Sequence, residues 1–188
     1  MFDFENDIEN CLQVLRSGGI ILYPTDTIWG LGCDATNEAA VEKIIELKNR
    51  PPEKSFVVLV ATEREVLKYA ASVDLSLFDF LEQQQNPTTV IYDHALGLAA
   101  NVIAPNGSVA MRICRDNFCK HLIKRFQKPI VSTSANISGE TAPKFFSEIT
   151  DPVKLGVDYM VHYRQQDNLP KMPSSIIKWH KGEVIKIR

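Results

Sequence analysis

The chain lacks most of the features that identify secreted, membrane or zinc-binding proteins. Its four cysteines form no Cys-x-x-Cys pair, and no histidine stands at zinc-ligand spacing from them, so neither a disulfide framework nor a zinc site is indicated. No apolar run is long enough to span a bilayer. The N-terminal segment is acidic and lacks the basic and apolar parts of a signal peptide. We therefore expect a cytoplasmic protein with reduced, mostly buried thiols.

The chain also has no excess of either charge. Its net charge is −2, so an RNA contact would need a local basic patch. Hydrophobic residues make up 45% and charged residues 23%, as in ordinary globular proteins. Helical and strand patterns alternate to the end, without repeats or linkers. The sequence therefore predicts one α/β domain over residues 1–188, with a twisted, mixed parallel and antiparallel sheet flanked by helices.

The spacing of apolar residues predicts where the elements lie. A helix over residues 8–15 is ended by Gly18-Gly19. Asn37, Thr62 and Asp116 are predicted N-caps of three further helices. Another helix covers residues 75–81. Strands are predicted at residues 20–23, 56–60, 88–92, 109–113, 130–133, 159–162, 175–178 and 184–187.

A polar cluster follows directly after the first predicted strand. Pro24 cannot donate to a sheet ladder, so the strand ends there. A Thr-Asp-Thr run at 25–27 comes next, and Gly30 and Gly32 then allow backbone to approach closely. The same residue types also make ordinary turns. A strand end with small polar residues and glycines is nevertheless how α/β proteins build ligand sites.

Two cations occur near the end of the helix that begins after Asn37. Lys48 and Arg50 precede Pro51-Pro52, which prevents the helix from continuing. Cations at a helix C-terminus are favourable by about 0.3–1 kcal/mol each, which is one explanation for them. Because the guanidinium fork suits carboxylate or phosphate, we interpret Lys48 and Arg50 as ligand-binding residues instead. Lys54 fits a solvated surface charge equally well.

Polar side chains are also dense after the strand at 130–133. The segment Ser132–Gly139 contains four hydroxyls and one carboxamide, more than a buried strand end tolerates without partners. These residues would also suit a simple turn. If the backbone is extended, the side chains of Ser134 and Asn136 point the same way, because strand side chains alternate with period two.

Taken together, these segments resemble one family, the YrdC-like threonylcarbamoyl-AMP synthases. Members typically read Pro-Thr-Asp-Thr-Val-Tyr-Gly-Leu-Gly, then Lys-x-Arg-Pro-x-x-Lys, Ala-Val-Arg and Thr-Ser-Ala-Asn-x-Ser-Gly. All four appear here in the same order, the third as Val109-Ala110-Met111-Arg112. The resemblance runs from about Gly18 to the C-terminus. Each motif alone is moderately specific, whereas the ordered set is highly specific.

The resemblance implies functional roles for the matched positions. The implied catalytic residues are Lys48, Arg50, Ser134 and Asn136. The implied threonine-binding residues are Thr25, Thr27 and Arg50. The implied nucleotide-binding residues are Lys48, Arg112, Ser132, Ser134, Asn136, Ser174 and Ser175. Ser174 and Ser175 belong to a Pro-Ser-Ser-Ile segment that resembles the family's Pro-Ser-Thr-Ile, and Arg188 matches its final arginine.

The reaction implied by the resemblance joins L-threonine, bicarbonate and ATP into threonylcarbamoyl-AMP and pyrophosphate. This is the first step of N6-threonylcarbamoyladenosine modification of tRNA, and downstream transferase proteins would use the product. The chain has no Walker A motif, so convergent side chains would hold the triphosphate. No protein metal ligands are expected, and Mg²⁺ would be held through ATP phosphates.

Some residues depart from the family pattern and leave other functions open. Ser55 and Leu59 stand where relatives often have Pro and His, Asn86 replaces a Gly, and Trp29 replaces a Tyr. The first two changes leave the amino-acid specificity open. An alternative is a non-catalytic module that binds double-stranded RNA or tRNA through the same basic concavity. A carbamoyltransferase relative acting on carbamoyl phosphate is a third possibility.

Overall fold

The structure is a computed structural model that describes residues 3–51 and 54–188. Its α-helices are α1 (Glu5–Arg16), α2 (Glu38–Lys48), α3 (Glu63–Tyr69), α4 (Ser76–Gln83), α5 (Asn117–Phe126) and α6 (Asp151–Leu155), with a 3₁₀ turn at Phe146–Glu148. Its strands are β1 (Ile21–Tyr23), β2 (Gly30–Gly32), β3 (Val57–Val60), β4 (Thr88–Tyr92), β5 (Val109–Ile113), β6 (Ile130–Ser134), β7 (Tyr159–Met160), β8 (Ser175–His180) and β9 (Glu183–Lys186). Pro52 and Glu53 of the predicted basic segment lie outside the described residues.

The three predicted N-caps are confirmed. The side chain of Asn37 accepts a hydrogen bond from Ala40 N at the start of α2. Thr62 Oγ1 accepts from Glu65 N in α3, and the carboxylate of Asp116 caps α5. Each cap satisfies one of the backbone donors that a helix N-terminus leaves free.

The described strands form one mixed sheet, as predicted. Their order is β7-β1-β2-β6-β3-β5-β4-β8-β9. The pairs β1/β7, β3/β5 and β4/β8 are parallel, and the other neighbours are antiparallel. In the centre, Gly30 lies opposite Ser134 and Val57 lies opposite Ser132. This register brings segments that are far apart in sequence onto adjacent strands.

The strand β2 was not predicted from the sequence. Its Gly-Leu-Gly sequence carries a weak strand signal, because glycine has little strand preference. The structure shows why glycines are needed there. A Cβ atom on Gly32 would lie 2.6 Å from Tyr23 Cε1 and 3.0 Å from Val131 O. The glycines therefore allow close packing within the sheet.

The core lies between the sheet and the helices that cover it. The apolar faces of α1 and α5 pack against the sheet and each other, with Ile8, Leu15 and Phe118 almost fully buried. The four cysteines are buried free thiols, as predicted. Within the described residues, no helix combines the length and apolar character needed to cross a membrane.

Candidate active site

A cavity of about 390 Å³ opens where the polar segments meet, beside the central strands β2, β6, β3 and β5. It is lined by Thr27, Ile28, Trp29, Gly30, Arg50, Lys54, Ser55, Val57, Arg112, Ser132, Thr133, Ser134, Ala142, Pro173, Ser174, Ile176 and Arg188. Residues from all four motifs contribute to this lining. The cavity therefore brings together six of the predicted site residues: Thr27, Arg50, Arg112, Ser132, Ser134 and Ser174.

Arg112 is a buried cation that joins two walls of the cavity. Its Nη2 atom donates to Asp26 Oδ1 at 3.0 Å and to Thr27 Oγ1 at 3.3 Å. Its Nη1 atom donates to Ser174 Oγ at 3.3 Å and weakly to Thr89 Oγ1 at 3.5 Å. The buried Nε atom has no partner. Because Asp26 pairs with Arg112, the charge of this buried arginine is largely compensated.

Arg50 supplies the second guanidinium of the cavity. It stacks over the Phe56 ring, with 4.4 Å from Cζ to the ring centroid. Its Nη2 atom donates to Ser55 O at 2.6 Å, and its Nη1 atom lies 3.5 Å from Thr133 Oγ1. Burial lowers the pKa of Arg50, but an arginine in a protein remains charged near neutral pH. The stacking and these hydrogen bonds hold the guanidinium at the wall of the cavity.

Thr25 lies beneath the cavity rather than in its wall. It is 2% exposed, and its hydroxyl bonds with Thr27 Oγ1, Thr27 N and Ile28 O. The prediction that both threonines face a ligand is therefore corrected in position: Thr27 lines the cavity, while the hydroxyl of Thr25 is used to hold the loop. The loop turns sharply after Pro24, and the first hydroxyl in it caps that turn.

The predicted position of Lys48 also needs correction. The ammonium does not line the cavity, and the residue is 1% exposed. Its Nζ atom donates to the carbonyl oxygens of Ser134 and Asn136, and its own carbonyl accepts from Ser138 N. The end of α2 packs against the loop that follows β6, so the Lys48 side chain contacts the carbonyl oxygens of that loop instead of extending into the cavity. Lys48 therefore fixes the loop that carries Ser134.

Asn136 is likewise turned away from the cavity. Asn136 N donates to Ser134 O at 2.9 Å, so the backbone turns at Ala135 and strand alternation ends there. The carboxamide Nδ2 donates to Ile137 O and Glu140 O, while the buried Oδ1 atom has no partner. Ser134 and Asn136 were expected to point the same way only if the backbone is extended, and this turn shows that the condition is not met.

Lys48 predicts an unusual pH dependence of stability. Burial, and then the charges of Arg50 and Lys54, lower the pKa of Lys48 from 10.5 to about 7. Since the folded state prefers the neutral amine, Lys48 destabilises the folded state fully below pH 7. This destabilisation decreases as the pH rises and is lost above about pH 10.5. The contribution of Lys48 to the free energy of unfolding should therefore rise by about 2 kcal/mol between pH 7 and pH 9.

Urea unfolding of the natural protein and of Lys48→Met at both pH values measures this contribution. The buried thiols, whose pKa burial raises, act in the opposite direction, since the unfolded chain loses their protons first as the pH rises. They are present in both proteins and cancel in the comparison. Equal changes with pH in the natural protein and in Lys48→Met would show that Lys48 keeps an ordinary pKa.

A second cavity of about 610 Å³ adjoins the first. The two share Pro173, Ser174 and Arg188 as lining residues, and Ser175 belongs to the second one only. Arg188 Nη2 donates to Ser174 O at 3.2 Å, and its backbone pairs with Ile176. Ser174 and Arg188 thus lie at the boundary between the two cavities, whereas Ser175 lines only the second.

The residues that depart from the family pattern fall in different places. Leu59 is completely buried in β3 and does not line the cavity, whereas Val57 of the same strand does. Ser55 lines the cavity and accepts from Arg50 through its carbonyl. Trp29 also lines the cavity, and its ring packs against the Phe146 ring with 4.9 Å between the ring centroids. Trp29 and Val57 therefore contribute apolar surface to the lining of the cavity.

Sequence reasoning missed three polar residues of the site. Asp26 was noticed as a polar residue, but its pairing with Arg112 was not predicted. Thr89 is fully buried and shares a 2.8 Å hydrogen bond with Ser174 Oγ. Thr133 lines the cavity next to Ser132 and Ser134. The Thr-Thr pair at the start of β4 was the available signal for Thr89, since alternation turns one of the two inward.

The described residues offer no protein cage for a metal ion. Within 3–51 and 54–188, no three His, Cys, Asp or Glu side chains lie close enough to bind one together. Asp26, the carboxylate nearest the arginine network, is already paired with Arg112.

Comparisons with known proteins agree on one family. A sequence model of the Sua5/YciO/YrdC family, described as telomere recombination, matches residues 13–188. The threonylcarbamoyl-AMP synthase of Saccharophagus degradans is 35% identical over 138 residues, covering 73% of this chain and 72% of that protein. The threonylcarbamoyl-AMP synthase of Pseudoalteromonas translucida is 29% identical over 185 residues, covering 97% of this chain and 98% of that protein.

A solved structure shows the same fold. The crystal structure of P. abyssi Sua5 complexed with L-threonine matches 98% of this chain with a TM-score of 0.83 at 22% sequence identity. The chain spans 54% of the length of that Sua5 chain.

Proposed function

Because the chain belongs to the Sua5/YciO/YrdC family, we propose that it is a threonylcarbamoyl-AMP synthase, a nucleotidyltransferase that joins L-threonine, bicarbonate and ATP with release of pyrophosphate. The observation that carries the proposal is the single cavity to which all four motifs contribute, with three arginine side chains, those of Arg50, Arg112 and Arg188, in its wall. Its anionic substrates need such cationic groups, since ATP, bicarbonate and an amino-acid carboxylate would otherwise repel one another.

The amino acid would bind at the end with Thr27 and Arg50. The guanidinium of Arg50 fits a carboxylate through two parallel hydrogen bonds. Thr27 lies at the loop after β1, where a small amino acid fits against Ile28 and Trp29. The Sua5 structure with bound L-threonine supports threonine as the amino acid, since a protein of this fold binds it there.

The nucleotide would bind along the serine-rich wall. Ser132, Ser134 and Ser174 present hydroxyl groups, Arg188 supplies positive charge, and Arg112, paired with Asp26, positions Ser174. The adjoining cavity lined by Ser175 gives further room for the nucleotide. Lys48 and Asn136 would act by fixing the loop that carries Ser134, rather than by touching ATP, because their polar atoms bond to that loop.

The proposed reaction proceeds by positioning. The amine of threonine attacks bicarbonate or CO₂ and forms a carbamate, with loss of water if bicarbonate reacts. A carbamate oxygen then attacks the α-phosphorus of ATP, and pyrophosphate leaves from the opposite side. None of these steps needs a protein nucleophile, so charge neutralisation by the arginines and alignment of the reactants would supply the catalysis.

Mg²⁺ would reach the site on the phosphates of ATP. Mg²⁺ commonly keeps several waters and binds substrate phosphates rather than an all-protein set of ligands. The labile adenylate would then pass to a transferase that modifies tRNA.

Pyrophosphate release tests the proposed function. Purified protein with ATP, Mg²⁺, bicarbonate and L-threonine should release pyrophosphate, and omission of either threonine or bicarbonate should stop the release. Each omission is the control for the other. Equal release without threonine, or none from a well-folded sample with all substrates, would contradict the proposal.

A further inference from the structure

The hydroxyl of Thr25 has a fixed set of hydrogen bonds. It donates to Ile28 O at 2.8 Å, and because a carbonyl oxygen only accepts, this bond uses the single proton of Thr25. The same oxygen accepts from Thr27 N at 3.0 Å. Thr25 therefore has no proton left for its third contact, the hydroxyl of Thr27.

This arrangement determines the direction of the bond between the two threonines. Their hydroxyl oxygens are 3.0 Å apart, so the proton between them must belong to Thr27. Arg112 Nη2, which only donates, occupies one lone pair of Thr27 Oγ1 at 3.3 Å. A hydroxyl has one proton and two lone pairs. What Thr27 can offer to the cavity is therefore its remaining lone pair.

We propose that Thr25 is a positioning residue that makes Thr27 an obligate hydrogen-bond acceptor for the amino-acid substrate. This inference rests on the proposed function and specifies which kind of substrate group Thr27 recognises. The group must be a donor, so Thr27 does not bind carboxylate, carbamate or phosphate oxygens. Those oxygens must bind elsewhere in the cavity, where guanidinium and serine groups can donate.

Threonine has two groups that can donate to Thr27: the side-chain hydroxyl and the amine, which keeps an N–H in the carbamate. They are separated by comparing L-threonine with L-valine, which has the same shape but no hydroxyl. Without the hydroxyl of Thr25, the proton of Thr27 is free to point into the cavity, where it would oppose a substrate donor. Comparing how much Thr25→Val weakens the binding of L-threonine and of L-valine therefore shows which of the two groups donates to Thr27.

The experiment is a calorimetric titration of the natural protein, Thr25→Val and Thr25→Ser with L-threonine, L-valine and ATP. Thr25→Val should bind L-threonine about tenfold more weakly, the effect of losing one hydrogen bond. Thr25→Ser should restore the affinity, since it restores the hydroxyl, and ATP affinity should be unchanged in both variants. A loss for threonine alone assigns the donor to the hydroxyl, and an equal loss for valine assigns it to the amine.

Unchanged threonine binding by a folded Thr25→Val would overturn the inference while leaving the proposed function intact. Failure of the natural protein to bind threonine would instead contradict the proposed function and this inference with it. If Thr25→Val does not fold, Thr27→Val and Thr27→Ser test the same acceptor directly. Thr27→Val should lose about tenfold in threonine affinity and Thr27→Ser should keep it, and equal affinities in the two would overturn the inference.

Discussion

Replacing Arg112 by lysine is expected to reduce threonine-dependent pyrophosphate release by about 100-fold or more. Lysine keeps a positive charge near Asp26, so the buried carboxylate is not left unpaired. It cannot, however, donate to Asp26 and Thr27 on one side and Ser174 on the other, as the guanidinium fork does. The initial rate of pyrophosphate release at saturating substrates measures the effect.

Arg115→Lys is the matched control for Arg112→Lys. Arg115 is also an arginine anchored by its guanidinium, which donates to the carbonyls of Leu81 and Gln84, but it does not line the 390 Å³ cavity. This variant should keep most of the activity. Comparable rates for Arg112→Lys and the natural protein would show that the fork of Arg112 has no part in the reaction.

Replacing Arg50 by alanine should also reduce pyrophosphate release by about 100-fold or more. A bidentate pair with a carboxylate consists of two charge-assisted hydrogen bonds, each with a net contribution of about 1.5–3 kcal/mol. Stability should change less, by about 1–2 kcal/mol, because the side chain is only partly buried and the lost contacts are those with Phe56, Ser55, Lys54 and Thr133. Activity and urea unfolding are measured on the same preparation.

Arg16→Ala is the control for the charge of Arg50. Arg16 lies in the last turn of α1, so it shares the favourable position of a cation at a helix C-terminus but lies away from the cavity. Its loss should leave the rate unchanged. If Arg50→Ala were as active as Arg16→Ala, Arg50 would have no role in the reaction, and its presence would be explained by the favourable position of a cation at a helix end.

Local rules predicted most of the elements because each signal lay within a few residues. Asn37, Thr62 and Asp116 cap helices where they were expected to, since capping involves only the next turn. The strand β2 escaped prediction because its reason is not local. A side chain at position 32 would collide with Tyr23 and with the carbonyl oxygen of Val131. Val131 belongs to β6, which follows about a hundred residues later in the chain.

The candidate site was predicted as a set of residues, but not as an arrangement. The ordered motifs brought Arg50, Arg112 and Ser134 to one cavity, as expected from the resemblance. The motifs do not reveal which polar groups bind ligand and which bind the protein itself. Lys48 and Asn136 bond to backbone carbonyls of the loop at 134–140, and only the backbone turn after β6 explains this.

NMR mapping of L-threonine and ATP binding on the protein labelled at isoleucine methyl groups will show where the two substrates bind. If the 390 Å³ cavity is where the two substrates meet, the NMR signals of Ile28 and Ile176, which line it, should shift on addition of L-threonine and a non-hydrolysable ATP analogue. Ile8 in α1 and Ile123 in α5 are buried away from the cavity and should not shift. Shifts confined to other isoleucines, with Ile28 and Ile176 unchanged, would contradict the account.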